Sequence, residues 1–121
     1  MTALNQNPPQ PLVAGDSFSL SFALTITGAA PDFTGADVKW SVYADARTGP
    51  RLLEKTTGNG AALAETDGAW RLQVDVGPGE TEALVGQFYH EATIWKDGEY
   101  RHTVATGTIE FRNSRNDEAA P

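Results

Sequence analysis

The two histidines of the sequence, His90 and His102, are its best candidates for acid–base or metal chemistry. A metal site needs three or four converging ligands, yet Glu91 alternates to the opposite face of the strand from its neighbour His90. A serine hydrolase needs a nucleophile beside one histidine, whereas four of the five serines lie on the outward face of early strands. They are Ser17, Ser19, Ser21 and Ser41. These patterns indicate partly buried, hydrogen-bonded histidines and predict no metal and no catalytic triad.

The acidic residues and the glycine-rich stretches do not predict an active site either. Acidic residues such as Asp67 and Asp97 fall in expected turns, and Asp75 falls on the solvent face of a strand, whereas acid–base catalysis needs two carboxylates in one cleft. The glycine-rich stretches 58–60 and 77–79 precede neither a long helix nor a lysine, so they do not form a phosphate loop. We expect a protein that is not an enzyme and has no cofactor.

Three aromatic residues are the candidate binding residues. Tyr43, Tyr89 and Trp95 fall on the polar phase of their predicted strands, so their rings are expected at the surface. Exposed rings stack on sugars or anchor protein interfaces, and interfaces are the commoner use. The alternative is that loops or the N-terminal segment cover them.

Length and composition exclude several classes of protein. The chain of 121 residues suits one domain and contains no cysteine, which excludes disulfide frameworks, thiolate metal sites and iron–sulfur clusters. A net charge of −7, from 9 basic and 16 acidic residues, makes nucleic acid and anionic membranes poor partners. Neither a signal peptide nor an apolar segment long enough to span a membrane is predicted.

Alternating apolar residues predict an all-β fold. Turn residues separate the predicted strands from one another. The alternation is weakest in the third and fourth strands. The predicted strands are Ser17–Thr27, Val38–Tyr43, Leu52–Thr57, Ala61–Ala64, Trp70–Val76, Phe88–Trp95 and Tyr100–Phe111. The segment 77–86 breaks this period and predicts about one helical turn. About seven short strands without a real helix favour an antiparallel β-sandwich, immunoglobulin-like in outline, with a small barrel as the alternative.

The stretch Lys96–Gly98 is typical of a hairpin loop. A two-residue turn would place Ile94 opposite Arg101, whereas a three-residue turn would place it opposite Tyr100. We favour the three-residue turn, because it keeps Val104 on the core face.

The favoured register places His90 opposite Val104 and leaves the end of the last strand out of phase. Ile109 and Phe111 face the core only if that strand contains a one-residue bulge. Gly107 is the predicted position of the bulge.

The two ends of the chain differ from its middle. Residues 1–13 are rich in proline and lack apolar alternation, so we expect an extended arm that becomes ordered only on a partner, with Leu4, Leu12 and Val13 as its contacts. We expect residues 14–112 to form the β-sandwich domain and residues 113–121 to form a flexible polar tail.

Several short segments, in their order, resemble one family. They are Ala14-Gly15-Asp16-Ser17-Phe18, Pro31-Asp32-Phe33-Thr34-Gly35-Ala36 before Val38-Lys39-Trp40, residues 79–84, Gly86-Gln87-Phe88, and Gly107 in the last strand. From Gly15 to Phe111 the chain resembles small immunoglobulin-like virion proteins of tailed bacteriophages and prophages, akin to the N-terminal domain of phage baseplate upper proteins.

The resemblance implies a non-enzymatic structural role in a virion. The expected partners are capsid or tail subunits, with a homo-oligomer as a further alternative. The alternative function is a carbohydrate-binding or host-adhesion module that uses Tyr43, Tyr89 and Trp95 on a host surface glycan.

Overall fold

The computed structural model describes residues 4–5, 12–24, 33–45, 49–67 and 69–113, and these residues form strands and turns. The strands are β1 (Leu4–Asn5), β2 (Leu12–Val13), β3 (Phe18–Leu24), β4 (Asp37–Tyr43), β5 (Arg51–Thr57), β6 (Gly60–Thr66), β7 (Ala69–Val76), β8 (Gly86–Lys96) and β9 (Tyr100–Arg112). The predicted all-β class is confirmed. Within the described ranges there is no helix with the length and apolar character needed to cross a membrane.

All described strands belong to one curled mixed sheet that resembles half a barrel. Its order is β1-β9-β8-β4-β5-β6-β7-β3, and β2 also pairs with β9. We call β5, β4, β8 and β9 the β8 half, and β6, β7 and β3 the β7 half. Two bridge pairs between β5 and β6 make the halves continuous, whereas the predicted sandwich has two separate sheets.

The core lies inside the curl, between the inner faces of the two halves. Every second residue of Ala69–Val76 is buried, as the alternation predicts, and Trp40 of β4 is fully buried. Rings of β3 reach across the core, since Phe22 stacks on His90 with 5.4 Å between the ring centroids. The two halves therefore share a single apolar core.

The connector between β7 and β8, residues 77–85, is fixed to β5 by an ion pair. It contains consecutive hydrogen-bonded turns where one helical turn was predicted. Lys55, whose side chain is 11% exposed, donates a hydrogen bond of 2.6 Å to Glu80 Oε1. The backbone N–H of Gly77 donates to the other carboxylate oxygen. These bonds, that of Lys55 above all, lower the pKa of Glu80.

The β8–β9 hairpin adopts neither predicted register. Ile94 pairs with His102, and Lys96 pairs with Tyr100 around a loop of residues 97–99. Gly98 has a φ of +78°, the left-handed conformation that the three-residue turn requires. The loop therefore has the predicted length but begins one residue later along the chain.

The bulge of this hairpin lies at Val104, so the prediction of Gly107 is wrong. The register shifts between Ala92 and Thr93, which leaves Val104 as the extra residue of β9. Val104 and Ala105 are 1% and 0% exposed, so the bulge buries two consecutive apolar residues. His90 consequently lies opposite Gly107 and not opposite Val104.

Two described pieces of the N-terminal segment join the sheet of their own domain. Leu4–Asn5 and Leu12–Val13 pair in parallel with β9, and Leu12 packs against the core. This differs from the predicted arm that is ordered only on a partner. Pairing with an edge strand uses backbone groups and needs no alternation of side chains. Residues 1–3 and 6–11, and the predicted tail beyond 113, lie outside the described residues.

The turn after β2 is held by hydrogen bonds from its backbone to β9 and to the connector. The N–H of Ala14 donates to the carbonyl of Arg112 at 2.8 Å. The N–H of Gly15 donates to the fully buried Thr81 hydroxyl at 2.9 Å, and its carbonyl accepts from the N–H of Gly79 at 2.8 Å. The start of the domain is thereby attached to both β9 and the connector.

Candidate functional site

The outer face of the β8 half contains a groove of about 550 Å³, which we call the outer groove. It crosses β4, β8 and β9 and ends at the hairpin loop 97–99. Tyr43 and Trp95, two of the three predicted binding residues, line it and are half-buried. Tyr89 lies beside it, with its ring centroid 6.3 Å from that of Tyr43. Further lining side chains are Lys39, Ser41, Arg51, Glu91, Thr93 and Arg101.

Strand register explains why these residues meet on one face. Directly paired residues of antiparallel strands project to the same side, so Lys39 lies beside Thr93 and Ser41 lies beside Glu91. The same rule places Arg101 of β9 next to Trp95 of β8. Residues from β4, β8 and β9, distant in sequence, therefore form one continuous surface.

Two polar side chains at the bottom of the outer groove are buried. Ser41 is 2% exposed and Thr93 is 7% exposed, although both face away from the core. The Ser41 hydroxyl makes no hydrogen bond within the described part of the chain. A buried hydroxyl without a partner is unfavourable for folding.

Three of the four basic side chains that line the outer groove are paired with acids. Glu54 accepts from Arg51 at 2.5 Å and lies 3.8 Å from Lys39, and Lys96 lies 3.6 Å from Glu99. Arg101, in contrast, makes no ion pair with any described acidic residue. Its exposed guanidinium is thus available to a ligand.

Two tyrosines fix the orientation of charged neighbours at the groove. Tyr89 donates a hydrogen bond of 3.0 Å to Glu91 Oε1. Burial and this carboxylate raise the pKa of Tyr89 to about 12, so its hydroxyl remains a donor at neutral pH. Arg51 lies over the Tyr43 ring at 5.8 Å from its centroid, and the contact with Tyr43, followed by that with Glu54, raises the pKa of Arg51.

The histidines lie apart from the outer groove and serve packing. His90 is fully buried, and the Trp40 Nε1–H donates to its Nδ1 at 3.2 Å. His102 is half-buried and stacks on Tyr100, with 5.2 Å between the ring centroids. Among the described residues, no group of three or more histidine and acidic side chains is placed to hold a metal ion.

The outer groove is suited to recognition. It offers aromatic faces, hydroxyl groups and a guanidinium on rigid strands, a combination typical of binding sites. Sequence reasoning found the aromatic residues but missed Ser41, Thr93 and Arg101. Alternation showed that Ser41 faces outward, but its burial depends on neighbouring strands that local sequence does not reveal.

No protein-family model matches this chain, and no curated protein matches it significantly.

Proposed function

We propose that the chain is a non-enzymatic structural protein of a tailed phage or prophage virion, an accessory interaction module on the capsid or the tail. The proposed location in a virion rests on the order of short segments between Gly15 and Phe111, which resembles that of small immunoglobulin-like virion proteins. The outer groove carries the interaction role, because half-buried aromatic side chains on an outer sheet face are typical of contact surfaces. The partners at this surface are capsid or tail subunits, or a second copy of the chain.

The arrangement of the two halves supports an immunoglobulin-like sandwich as the finer description of the fold. In such sandwiches two sheets face each other across one core. The β8 half and the β7 half contact each other in this way. The ring centroids of Phe18 in β3 and Phe111 in β9 lie 6.0 Å apart. The curled sheet is then a sandwich whose two sheets remain joined at the β5–β6 link.

Mass spectrometry of purified particles tests the virion role. We expect the protein in particles at a copy number that reflects their symmetry, because accessory modules occupy equivalent positions on a symmetric array. Detection only in the cytosol of the host would contradict the proposal. A Trp95→Ser variant should incorporate less well if the outer groove is the docking surface. The matched control is Arg71→Gln, on the exposed outer face of β7.

A second candidate function is the binding of a host surface glycan. It is favoured by the combination of aromatic rings with hydroxyl groups in one groove, since sugars present both apolar C–H faces and hydroxyls. Trp40 is fully buried and Trp70 is 9% exposed, so Trp95 is the accessible tryptophan reporter. A change in its fluorescence on titration with host polysaccharide supports this candidate, and an unchanged spectrum contradicts it.

A further inference from the structure

We propose that the outer groove binds a carboxylated oligosaccharide and that Arg101 selects its charge. This inference rests on the second candidate function, glycan binding, and specifies the chemical class of the glycan. Three observations on different residues carry it: a buried hydroxyl and a guanidinium that have no partner among the described residues, and an accessible indole ring.

Ser41 provides the first observation. Its hydroxyl lies at the bottom of the outer groove in a residue that is 2% exposed, and it has no hydrogen-bond partner among the described residues. A serine hydroxyl can both donate and accept, which suits it to a sugar hydroxyl. The oxygen itself is closed to solvent, so a ligand in the groove would satisfy this hydroxyl only after the side chains that cover it move.

The charge distribution provides the second observation. The chain has 9 basic and 16 acidic residues, yet the groove lining has four basic side chains and three acidic ones. Lys39, Arg51 and Lys96 already pair with acids, which leaves Arg101 without an acidic partner among the described residues. A guanidinium binds a carboxylate through two parallel hydrogen bonds, so a carboxylate is the group that this position recognises best.

Trp95 provides the third observation. It pairs with Arg101 in the β8–β9 register, so an indole ring and a guanidinium project side by side. With Lys39 it also lines a second, smaller depression on the same face. An extended ligand can therefore stack on the ring while its carboxylate meets Arg101. From Trp95 to Glu91, beside Ser41, the strand rises by about 13 Å, which gives room for more than one sugar ring.

Titration with trigalacturonate tests the proposal, with its fully methyl-esterified form as the neutral comparison. Isothermal calorimetry on the full chain, with Trp95 fluorescence as a second readout, should show that the acidic form binds about tenfold more tightly. That ratio is what one charge-assisted hydrogen-bond pair provides. The ester retains the ring shape and most hydroxyls, so the comparison isolates the carboxylate.

Two variants separate the contributions of charge and hydroxyl. Arg101→Gln should remove the preference for the acid, so that the acid and the ester bind with similar affinity. Ser41→Ala should weaken the binding of both forms by similar factors. The matched control is Arg112→Gln, near the other end of β9, where the exposed guanidinium donates to the Asn113 carbonyl. Circular dichroism confirms that each variant is folded.

The outcomes distinguish this inference from the function on which it rests. Equal affinity for acid and ester would overturn charge selection and leave glycan binding in place. Absence of binding to both forms overturns this proposal, and absence of binding to host polysaccharide as well overturns the glycan function. Binding of hexaglutamate in place of either sugar would also overturn it and would indicate an acidic peptide as ligand.

Discussion

The inner faces of both halves are apolar and buried, but their outer faces differ in exposure. On the β7 half, Ser19, Ser21 and Asp75 are exposed and bond to neighbours on the same face. The Ser19 hydroxyl donates to Asp75 at 2.6 Å, and Arg71 Nε donates to the Ser21 hydroxyl at 2.7 Å. These residues are solvated, and the polar groups of Ser19, Ser21, Arg71 and Asp75 are paired with one another.

The outer face of the β8 half contains bulkier and less exposed side chains. Trp95 and Tyr43 are half-buried there, and Ser41 is buried with no hydrogen-bond partner in the described ranges. Folding requires only that the inner face be apolar, and the β7 half achieves this with a solvated exterior. The bulkier outer face of the β8 half supports the interaction role that we propose for the outer groove, whereas the β7 half shows what folding alone requires.

Core substitutions in the two halves should have the largest and most similar effects. Leu72→Ala in β7 and Ile94→Ala in β8 each truncate a fully buried side chain, so each should lower the free energy of unfolding by about 2–5 kcal/mol. Chemical denaturation followed by circular dichroism measures this. Because the core is shared, we expect one cooperative transition in both variants, and two separate transitions would show that the halves unfold independently.

Glu80→Gln tests the ion pair that links the connector to β5. At neutral pH it should lower the free energy of unfolding by roughly 1 kcal/mol, because Lys55 is largely buried while the Glu80 side chain is 35% exposed. The folded pKa of Glu80 lies below its ordinary value of 4.5. Its contribution is therefore present above pH 4.5 and is lost as the pH falls through the folded pKa.

Denaturation at several pH values checks this contribution. As the pH falls below 4.5, the free energy of unfolding should decrease less for the Glu80→Gln variant than for the natural chain. Parallel acid dependence in the two proteins would contradict a role for this carboxylate.

The inner face was predictable from the sequence, but the register and the groove were not. Alternation over Ala69–Val76 is local, so each buried residue could be identified directly. Local alternation does not allow two consecutive core residues, and Val104 with Ala105 form such a pair at the bulge. The burial of Ser41 likewise depends on side chains of neighbouring strands, and pairing across the sheet is not encoded in adjacent residues.

Ser41→Ala should stabilise the protein, which is unusual for a substitution on a sheet. Removing a buried hydroxyl without a partner should raise the free energy of unfolding by up to about 1 kcal/mol. Thermal and chemical denaturation in the absence of ligand measure the change. A loss of stability would mean that the hydroxyl contributes to the fold, and the contrast between the two outer faces would then need another explanation.

Glu91→Gln should change the titration of Tyr89 with little effect on stability at neutral pH. The carboxylate contributes, after burial, to raising the pKa of Tyr89 to about 12, so its removal should lower that pKa part of the way toward 10. Ultraviolet absorbance at alkaline pH, with the Tyr89→Phe variant identifying the signal, measures the shift. An unchanged value would mean that burial alone sets this pKa.

Ser19→Ala should have the smallest effect and completes the comparison between the two outer faces. The bond from Ser19 to Asp75 is exposed, so water can replace it, and the free energy of unfolding should change by less than about 0.5 kcal/mol. The substitution is the same as at Ser41, on a strand of the other half, so the two variants differ only in the burial and pairing of one hydroxyl. Measured together, Ser41→Ala should raise the free energy of unfolding, whereas Ser19→Ala should lower it slightly or leave it unchanged. A loss of more than about 1 kcal/mol at Ser19 would show that the outer face of the β7 half also supports the fold, because a solvated hydroxyl bond cannot account for that much.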